Sequence, residues 1–582
     1  MYVRSVKIPS SNGSFNEYLR VVEAYREGGK VKQRIIADLG RRDLLAAVLP
    51  NLRRILEGTP KVQGQGDSEV DILQTFGWGP LLVVRALFEQ LGLWDLMDGL
   101  LGKRAVVPWA DRAFVLIASR LIHPCSEHGL AGWLETDFFC DREGRRFVPW
   151  WHQRGRVRVH DQQLDGWYRT LDRLLAAKEQ IETALYGRLR DLFSLKPDLV
   201  LYDITSTYFE GSGPQGLARH GYSRDGKSRN PQVIVGVVMV GGWPIVHHVW
   251  EGNRLDESTV SEVIKELRER FEFARVVFVG DRGMVTEENL QHLIDQGQGY
   301  LVGVRRRRNA NMAKWLDAVD EAKWVDCPVG TSASEKSDPP RTRVQEVPSG
   351  KEGMRVFVID SDERRLYEQS MRARSMARVQ EKLQKLRQRV EAGKLKDAAK
   401  IGAAAERIMQ AHHGYRYYRW RLEGGGFFFE EDPLHFEKEK RIEGKYLLAT
   451  SEASLGALEA LRMYKDLSEV ERGFRSLKDV LEMRPIYHKS EGRVRAHIFV
   501  AALALLLTRV LERRLKDAGL TMSAERALQA LSTIRLVTFK VGGSVRSGVS
   551  VGSAGARQVL KALGIVETKP PVPPQTEQVD MS

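Results

Sequence analysis

Cysteine is scarce in this sequence: Cys125, Cys140 and Cys327 are the three thiols in 582 residues, too few and too scattered for a disulfide framework. A reducing compartment is expected. Long hydrophobic runs are missing too. The longest wholly apolar stretch, Ile498 to Leu507, is ten residues, about half the ~20 that a membrane-crossing helix requires, and the opening MYVRSVKIPS has no apolar signal segment. A protein neither exported nor membrane-bound is expected. Acid is outnumbered: 76 Asp and Glu against 90 Lys and Arg leave a formal charge of +14, which suits a polyanionic partner. With 42% apolar residues and 8% aromatics the chain is too hydrophobic for general disorder, and its length predicts roughly three or four domains.

The segment RLIHPCSEHGLAGWLE gathers His123, Cys125 and His128, with Cys140 close behind. A structural zinc site would show paired ligands at C-x2-4-C or H-x3-5-H spacing across a tight turn, whereas this stretch reads as two helices broken at a Pro. Buried thiols and capping histidines are the expectation.

The organisation changes four times along the chain. Residues 18 to 26 and 31 to 37, around the turn EGGK, form a β-hairpin within an N-terminal β-rich unit, 1–75. LLVVRALFEQL, DRAFVLIASRLI and QIETALYGRLRDLF place apolar residues at helical spacing, giving a helical domain over 76–195. PDLVLYDITSTYFEG, PQVIVGVVMVGG and WPIVHHVWEGN read as three strands. STVSEVIKELRERF, ARVVFVGD, TEENLQHLIDQG and GYLVGVRR follow as helix, strand, helix and strand. The order β-β-β-α-β-α-β is that of a ribonuclease H-like α/β sheet with its first three strands antiparallel. This core spans 196–305 and 456–565, interrupted by a mixed α/β insertion at 306–455, and a Pro-rich tail at 566–582 is expected to be disordered.

Three acids stand out. Asp203 lies within a strand otherwise built for burial, a costly place for a carboxylate unless a cation compensates it. Asp281 ends the strand VVFVGD, and ligands of α/β sheets gather at the carboxyl ends of strands. Together they suggest a divalent-cation site with oxygen ligands. In MYKDLSEVERGFRSLKDVLEM, Tyr464, Glu471 and Lys478 recur every seven residues and share a helix face, with Arg475 on it too. An apolar stripe of Leu467, Val470, Phe474, Leu477 and Leu481 must dock on the sheet.

These residues resemble those of bacterial insertion-sequence DDE transposases, in particular the group marked by Y-x2-R-x3-E-x6-K. Tyr464, Glu471 and Lys478 stand at the stated offsets, and YDITSTYFEG, VGDRGM, VERGFRSLKDVLEMRPIYH and RAHIFVAALALLL also resemble that group. The hairpin YLRVVEAYREGGKVKQRIIADLG is similar to the start of one of its branches. The chain departs at Leu467, where the signature has Arg; Arg472 and Arg475 are the candidates to replace its phosphate contact.

The resemblance implies that Asp203, Asp281 and Glu471 hold two Mg²⁺ ions, with Mn²⁺ as a substitute, for in-line displacement at phosphorus. Tyr464, Arg472, Arg475 and Lys478 would contact DNA, largely through phosphates that fix register without reading sequence. It further implies that the N-terminal and helical regions recognise double-stranded inverted-repeat ends, that the insertion clamps them, that a homodimer pairs two ends before joining them to target DNA, and a cytoplasmic, nucleoid-associated location. Two other readings compete. A haloacid-dehalogenase-type phosphatase needs an acid two residues after Asp203 and another four after Asp281, where this chain has Thr205 and Val285. A catalytically inactive DNA-binding protein derived from a transposase would retain the fold without cleavage. In the insertion, the aromatic and basic segment Tyr415 to Arg421 fits either base stacking or an ordinary half-buried strand.

Overall fold

The computed structural model describes residues 2–9, 15–27, 30–42, 70–102, 107–148, 159–193, 195, 199–254, 258–273, 276–280, 286–304, 309, 311–327, 340–541 and 544–572. The chain divides into two compact units, 1–72 with 539–546, and 73–538 with 547–582. In the first, β1 (Tyr2–Pro9), β2 (Phe15–Glu27) and β3 (Lys30–Arg41) form an antiparallel sheet in that order. The expected hairpin is β2 and β3, and Tyr25 faces Lys32 across it.

In the second unit, after β4 (Val70–Gly77), come six helices: α1 (Gly79–Gln90), α2 (Leu93–Leu101), α3 (Trp109–Ile122), α4 (Leu130–Thr136), α5 (Val159–Ala176) and α6 (Lys178–Phe193). The break expected at Pro124 separates α3 from α4; His123 caps α3 and its ring stacks on Trp133. Then follow β5 (Leu199–Tyr208), β6 (Gln232–Val240), β7 (Trp243–Glu251), α7 (Val260–Phe271), β8 (Val277–Gly280), α8 (Glu287–Asp295) and β9 (Gly299–Gly303), the order read from the sequence.

The segment 306–455 extends this sheet. It holds α9 (Met312–Asp317), β10 (Val325–Asp326), β11 (Thr342–Val347), β12 (Arg355–Ser361), α10 (Asp362–Glu391), α11 (Ala398–Ala411), β13 (Tyr418–Glu423), β14 (Gly426–Glu431), α12 (Pro433–Ile442) and β15 (Lys445–Thr450). The strand order is β10-β11-β12-β15-β9-β8-β5-β6-β7, so four strands of the segment continue the sheet beyond β9. The part that stands off is the hairpin β13-β14 with α11 and the distal half of α10. It has its own core of Val379, Leu383, Ile401, Met409, Tyr418 and Phe427. Trp420 is half-buried on the hairpin's inner face, its indole donating to Glu406 at 3.2 Å, while Arg419 and Arg421 are exposed and pair with Glu430. The segment thus has the packing of a half-buried strand, with Trp420, Arg419 and Arg421 lining a surface recess.

The sheet is covered on both faces. Tyr202, Ile204, Ile264 and Phe278 pack with α7 on one side. On the other, Leu201, Val235, Val279 and Leu301 share a core with the first six helices and with α13 (Ala457–Arg475) and α14 (Glu491–Asp517). That core includes both Phe76 and Leu560, so the helical region and the sheet are packed as one body. Two short helices, α15 (Ala524–Leu531) and α16 (Ala554–Ala562), strands β16 (Arg535–Val541) and β17 (Ser544–Val549) complete the described chain. Among the described residues α14 is the one helix long and apolar enough to cross a membrane, and 89% of its most apolar window is buried inside the protein. Of the tail expected at 566–582, residues 573–582 lie outside the described residues, while the Thr568 carbonyl accepts a hydrogen bond from the Trp78 indole at 2.6 Å.

Buried ionisable groups tie these layers. Glu182 on α6 accepts from Lys178 at 2.9 Å and from His247 Nδ1 at 3.0 Å, and Arg270 of α7 completes the cluster. Burial, with Lys178 close by, pushes His247 down to about 4. The unfolded chain therefore binds a proton below its ordinary value of 6.5 that the folded chain refuses, and stability falls as pH drops from 6.5 toward 4. His247 alone is expected to remove roughly 2 kcal/mol by pH 5. Thermal melts at pH 7 and pH 5 check this: His247→Gln should flatten the difference, and a difference equal to wild type would remove His247 as its source.

Candidate active site

β5 alternates between two environments. Val200, Tyr202 and Ile204 face α7, where the Tyr202 hydroxyl bonds Thr259 at 2.8 Å. Leu201 faces α13, and by the two-residue repeat of a strand Asp203 and Thr205 lie on that same face. Between Val200 and Thr207 every residue is buried except Asp203, which is partly exposed. Its Oδ1 accepts from the Ile204 N–H at 2.8 Å. A partly exposed carboxylate on an apolar strand is a hard oxygen donor, and the residue type fits a divalent ion.

β8 runs parallel to β5, with Leu199 opposite Val277 and Leu201 opposite Val279. Val279 belongs to the α13-facing core. Asp281, two residues later, lies outside the described residues.

α13 brings the third acid. Its stripe of Leu467, Val470, Phe474, Leu477 and Leu481 is buried as the spacing requires, each side chain contributing roughly 1.5–3 kcal/mol. The helix lies across β5, β6, β8 and β9. Gly473 permits this approach, because a Cβ there would meet Met239 of β6 at 2.6 Å.

Glu471 is exposed and lines a cleft of about 660 Å³ together with Tyr464, Tyr446 and Leu467. The rings of Tyr464 and Tyr446 are 6.1 Å apart. The spacing of seven does not hold to Lys478. α13 ends at Arg475 and Ser476–Val480 form a π-helical turn, wider than 3.6 residues, that resets the face. Lys478 is nearly buried and donates to Asp225 Oδ1 at 2.7 Å; Arg484 reaches the same oxygen at 2.6 Å. Burial lowers the Lys478 pKa and Asp225 opposes the shift. Arg472 pairs with Glu469 at 2.8 Å and lines a different recess with Arg509 and Arg513, whereas Arg475 is exposed at the helix end. Asp225, Arg484 and Tyr446 were not singled out in the sequence. Arg484 and Asp225 meet across 259 residues, and no local pattern announces such a pair.

A second cluster, Glu127, His488 and His497, holds three metal-ligating atoms within 4.8 Å of one another. Both His497 nitrogens are engaged, Nδ1 by Arg120 at 3.2 Å and Nε2 by the Met483 carbonyl at 3.1 Å. The buried guanidinium occupies the lone pair that a metal would need, so this is a hydrogen-bonded ion network joining α3 to α14.

The sequence comparisons give the family. Residues 195–507 match the transposase DDE domain, and residues 3–70 match the N-terminal domain of IS1634 family transposases. The chain belongs to the DDE transposases of bacterial insertion sequences, enzymes that cut DNA and transfer strands with divalent metal ions; the phosphatase alternative finds no support. No curated protein matches the chain. Among solved structures, the cryo-EM structure of a piggyBac transposase synaptic complex with hairpin DNA aligns with a TM-score of 0.34 at 10% identity, over 79% of this chain and 82% of that one.

Proposed function

We propose that Asp203, Asp281 and Glu471 form a single carboxylate site that cleaves the ends of an insertion sequence and joins them to target DNA. The observation that carries this reading is that Asp203 opens onto the sheet face covered by the helix of Glu471, with the end of β8 alongside. β8 pairs with β5 in parallel as far as Leu201 and Val279, and Asp281 follows β8 in the sequence. The three acids offer only oxygen ligands, which suits Mg²⁺, or Mn²⁺ in its stead, and a pair of ions in all. Bound there, divalent ions lower the pKa of a water and neutralise charge at the leaving oxygen.

In the first step a water oxygen bonds to phosphorus at the element's end, the bond from phosphorus to the 3′ oxygen breaks, and that oxygen leaves as a 3′-hydroxyl. In the second, this hydroxyl loses its proton and its oxygen attacks a target phosphodiester, releasing a target 3′-hydroxyl. Tyr464, through its hydroxyl, and Lys478, once a phosphate displaces Asp225, hold the strand; Arg475 extends the contact at the helix end. Two copies, one per end, fit a reaction that joins both ends of one element, carried out on the nucleoid.

The deciding experiment incubates the full chain with duplexes carrying the terminal inverted repeats that flank its coding sequence. Cleavage at the repeat boundary is expected with Mg²⁺ or Mn²⁺ and none with a chelator. Metal-independent cleavage, or end binding without cleavage in any metal, would overturn the enzymatic reading, the latter in favour of a DNA-binding protein.

A further inference from the structure

We propose that Arg364, assisted by Lys465, seats a phosphate of the DNA strand lying against Glu471. The inference rests on the reading of Glu471 as a catalytic acid. It begins from a shortage: Leu467 stands on the cleft wall where the signature has Arg, Arg472 is paired with Glu469 in another recess, and Lys478 is held by Asp225. Among the described residues, the cations that line the Glu471 cleft are Arg364, in the first turn of α10, and Lys465 on α13.

Arg364 is held ready for a ligand. Its guanidinium lies 5.0 Å from the centre of the Tyr446 ring, and its Nε donates to Glu368 at 3.0 Å. Glu368 is itself fixed by the Gly444 N–H at 3.0 Å. These contacts set the plane of the fork while no described residue accepts from its Nη atoms, the donors that match phosphate oxygens. Lys465 makes no ion pair among the described residues and adds a second, mobile charge. Burial pushes the Tyr446 hydroxyl up to about 12, so it stays protonated and can donate.

Glu363 also lines the cleft, so among the described residues two cations face two carboxylates, and the geometry of the Arg364 fork is what matches a phosphate. The helix α10 starts at Ser361, whose hydroxyl caps the Arg364 N–H, which fixes where the side chain emerges. Because α10 follows directly on β12, the phosphate-seating residue is carried by the inserted segment while the acid is carried by the core. The segment is thereby a component of the active cleft.

The test uses the full chain and an end-bearing duplex, with four variants: Arg364→Gln, Arg364→Lys, Lys465→Gln and Glu471→Gln. Each phosphate contact contributes about 0.9 to the slope of log affinity against log salt. Arg364→Gln should lower that slope by about one and reduce kcat/KM for cleavage roughly 10- to 100-fold, with an unchanged melting temperature; Arg364→Lys should restore the slope and part of the rate. Lys465→Gln, at an exposed position, should lower the slope by a smaller amount and covers the case in which Arg364→Gln fails to fold. Glu471→Gln should keep the full slope without cleavage. A wild-type slope in both Arg364→Gln and Lys465→Gln, or in Lys465→Gln when the Arg364 variant does not fold, overturns the proposal. Should wild type bind but never cleave, the catalytic reading fails while the slopes still decide this one.

Discussion

Asp203→Asn should bind end DNA with near wild-type affinity and cleave none of it. The strand environment makes the two effects separable. Asp203 is the one partly exposed residue in a stretch of β5 otherwise buried on both sides, so asparagine, equal in shape, leaves the packing alone. Its Oδ1 accepts from the Ile204 N–H, a bond the amide oxygen of asparagine can also make. What is lost is one negative charge facing the helix of Glu471, and with it a hard ligand for a divalent cation. Affinity, resting on phosphate contacts by basic residues, should change little. Gel-shift binding and cleavage assayed on one duplex check both halves; cleavage at the wild-type rate would remove Asp203 from the mechanism, and lost binding would place it among the DNA contacts.

Glu182→Ala should be the most destabilising single change in the buried ion network, by about 3–5 kcal/mol. Burial by itself would raise the Glu182 carboxyl, but Lys178, His247 and Arg270 together bring it down to about 2. The side chain is 5% exposed, and Arg270 and Lys178 are only 14% and 18% exposed, so neither cation can turn fully to water when the acid is gone. Arg270 keeps Glu266, which His248 also contacts at 2.9 Å, and this second pair limits the loss. Because Glu182 is on α6 while two of its partners, His247 and Arg270, are on β7 and α7, the change loosens α6 from the sheet. Urea denaturation should show the midpoint lowered, with Glu182→Gln in between; an alanine variant within about 1 kcal/mol of wild type would mean that the cluster is stabilised mainly by its apolar surroundings.

The core of the fold was legible because its signals are local. Each of β5, β6 and β7 is a short apolar run bounded by turn residues, α7 has helical periodicity, and Asp203 is conspicuous against Leu199 to Tyr202. The apolar stripe of α13 followed from spacing alone. What sequence could not give is non-local. β10 is two residues long and β11 is short and half polar, and with β12 they join the main sheet only because β12 pairs with β15, more than eighty residues later in the chain. The π turn at Ser476–Val480 overrode a seven-residue spacing because the chain there must satisfy both Leu477 in the core and Lys478 against Asp225. Arg364 sits among the many charges of α10, and only the fold shows that its first turn opens onto the cleft of Glu471.

The position of β15 governs the order in which the molecule can be completed. β9 ends at Gly303 and β12 at Ser361, and both wait for Lys445–Thr450 to lie between them. Strands β5 to β9 pair among themselves, whereas α13 follows β15 in the chain. A ribosome-bound or truncated chain ending before Lys445 therefore carries Asp203 without Glu471. The cost of closing so long a loop falls late in folding.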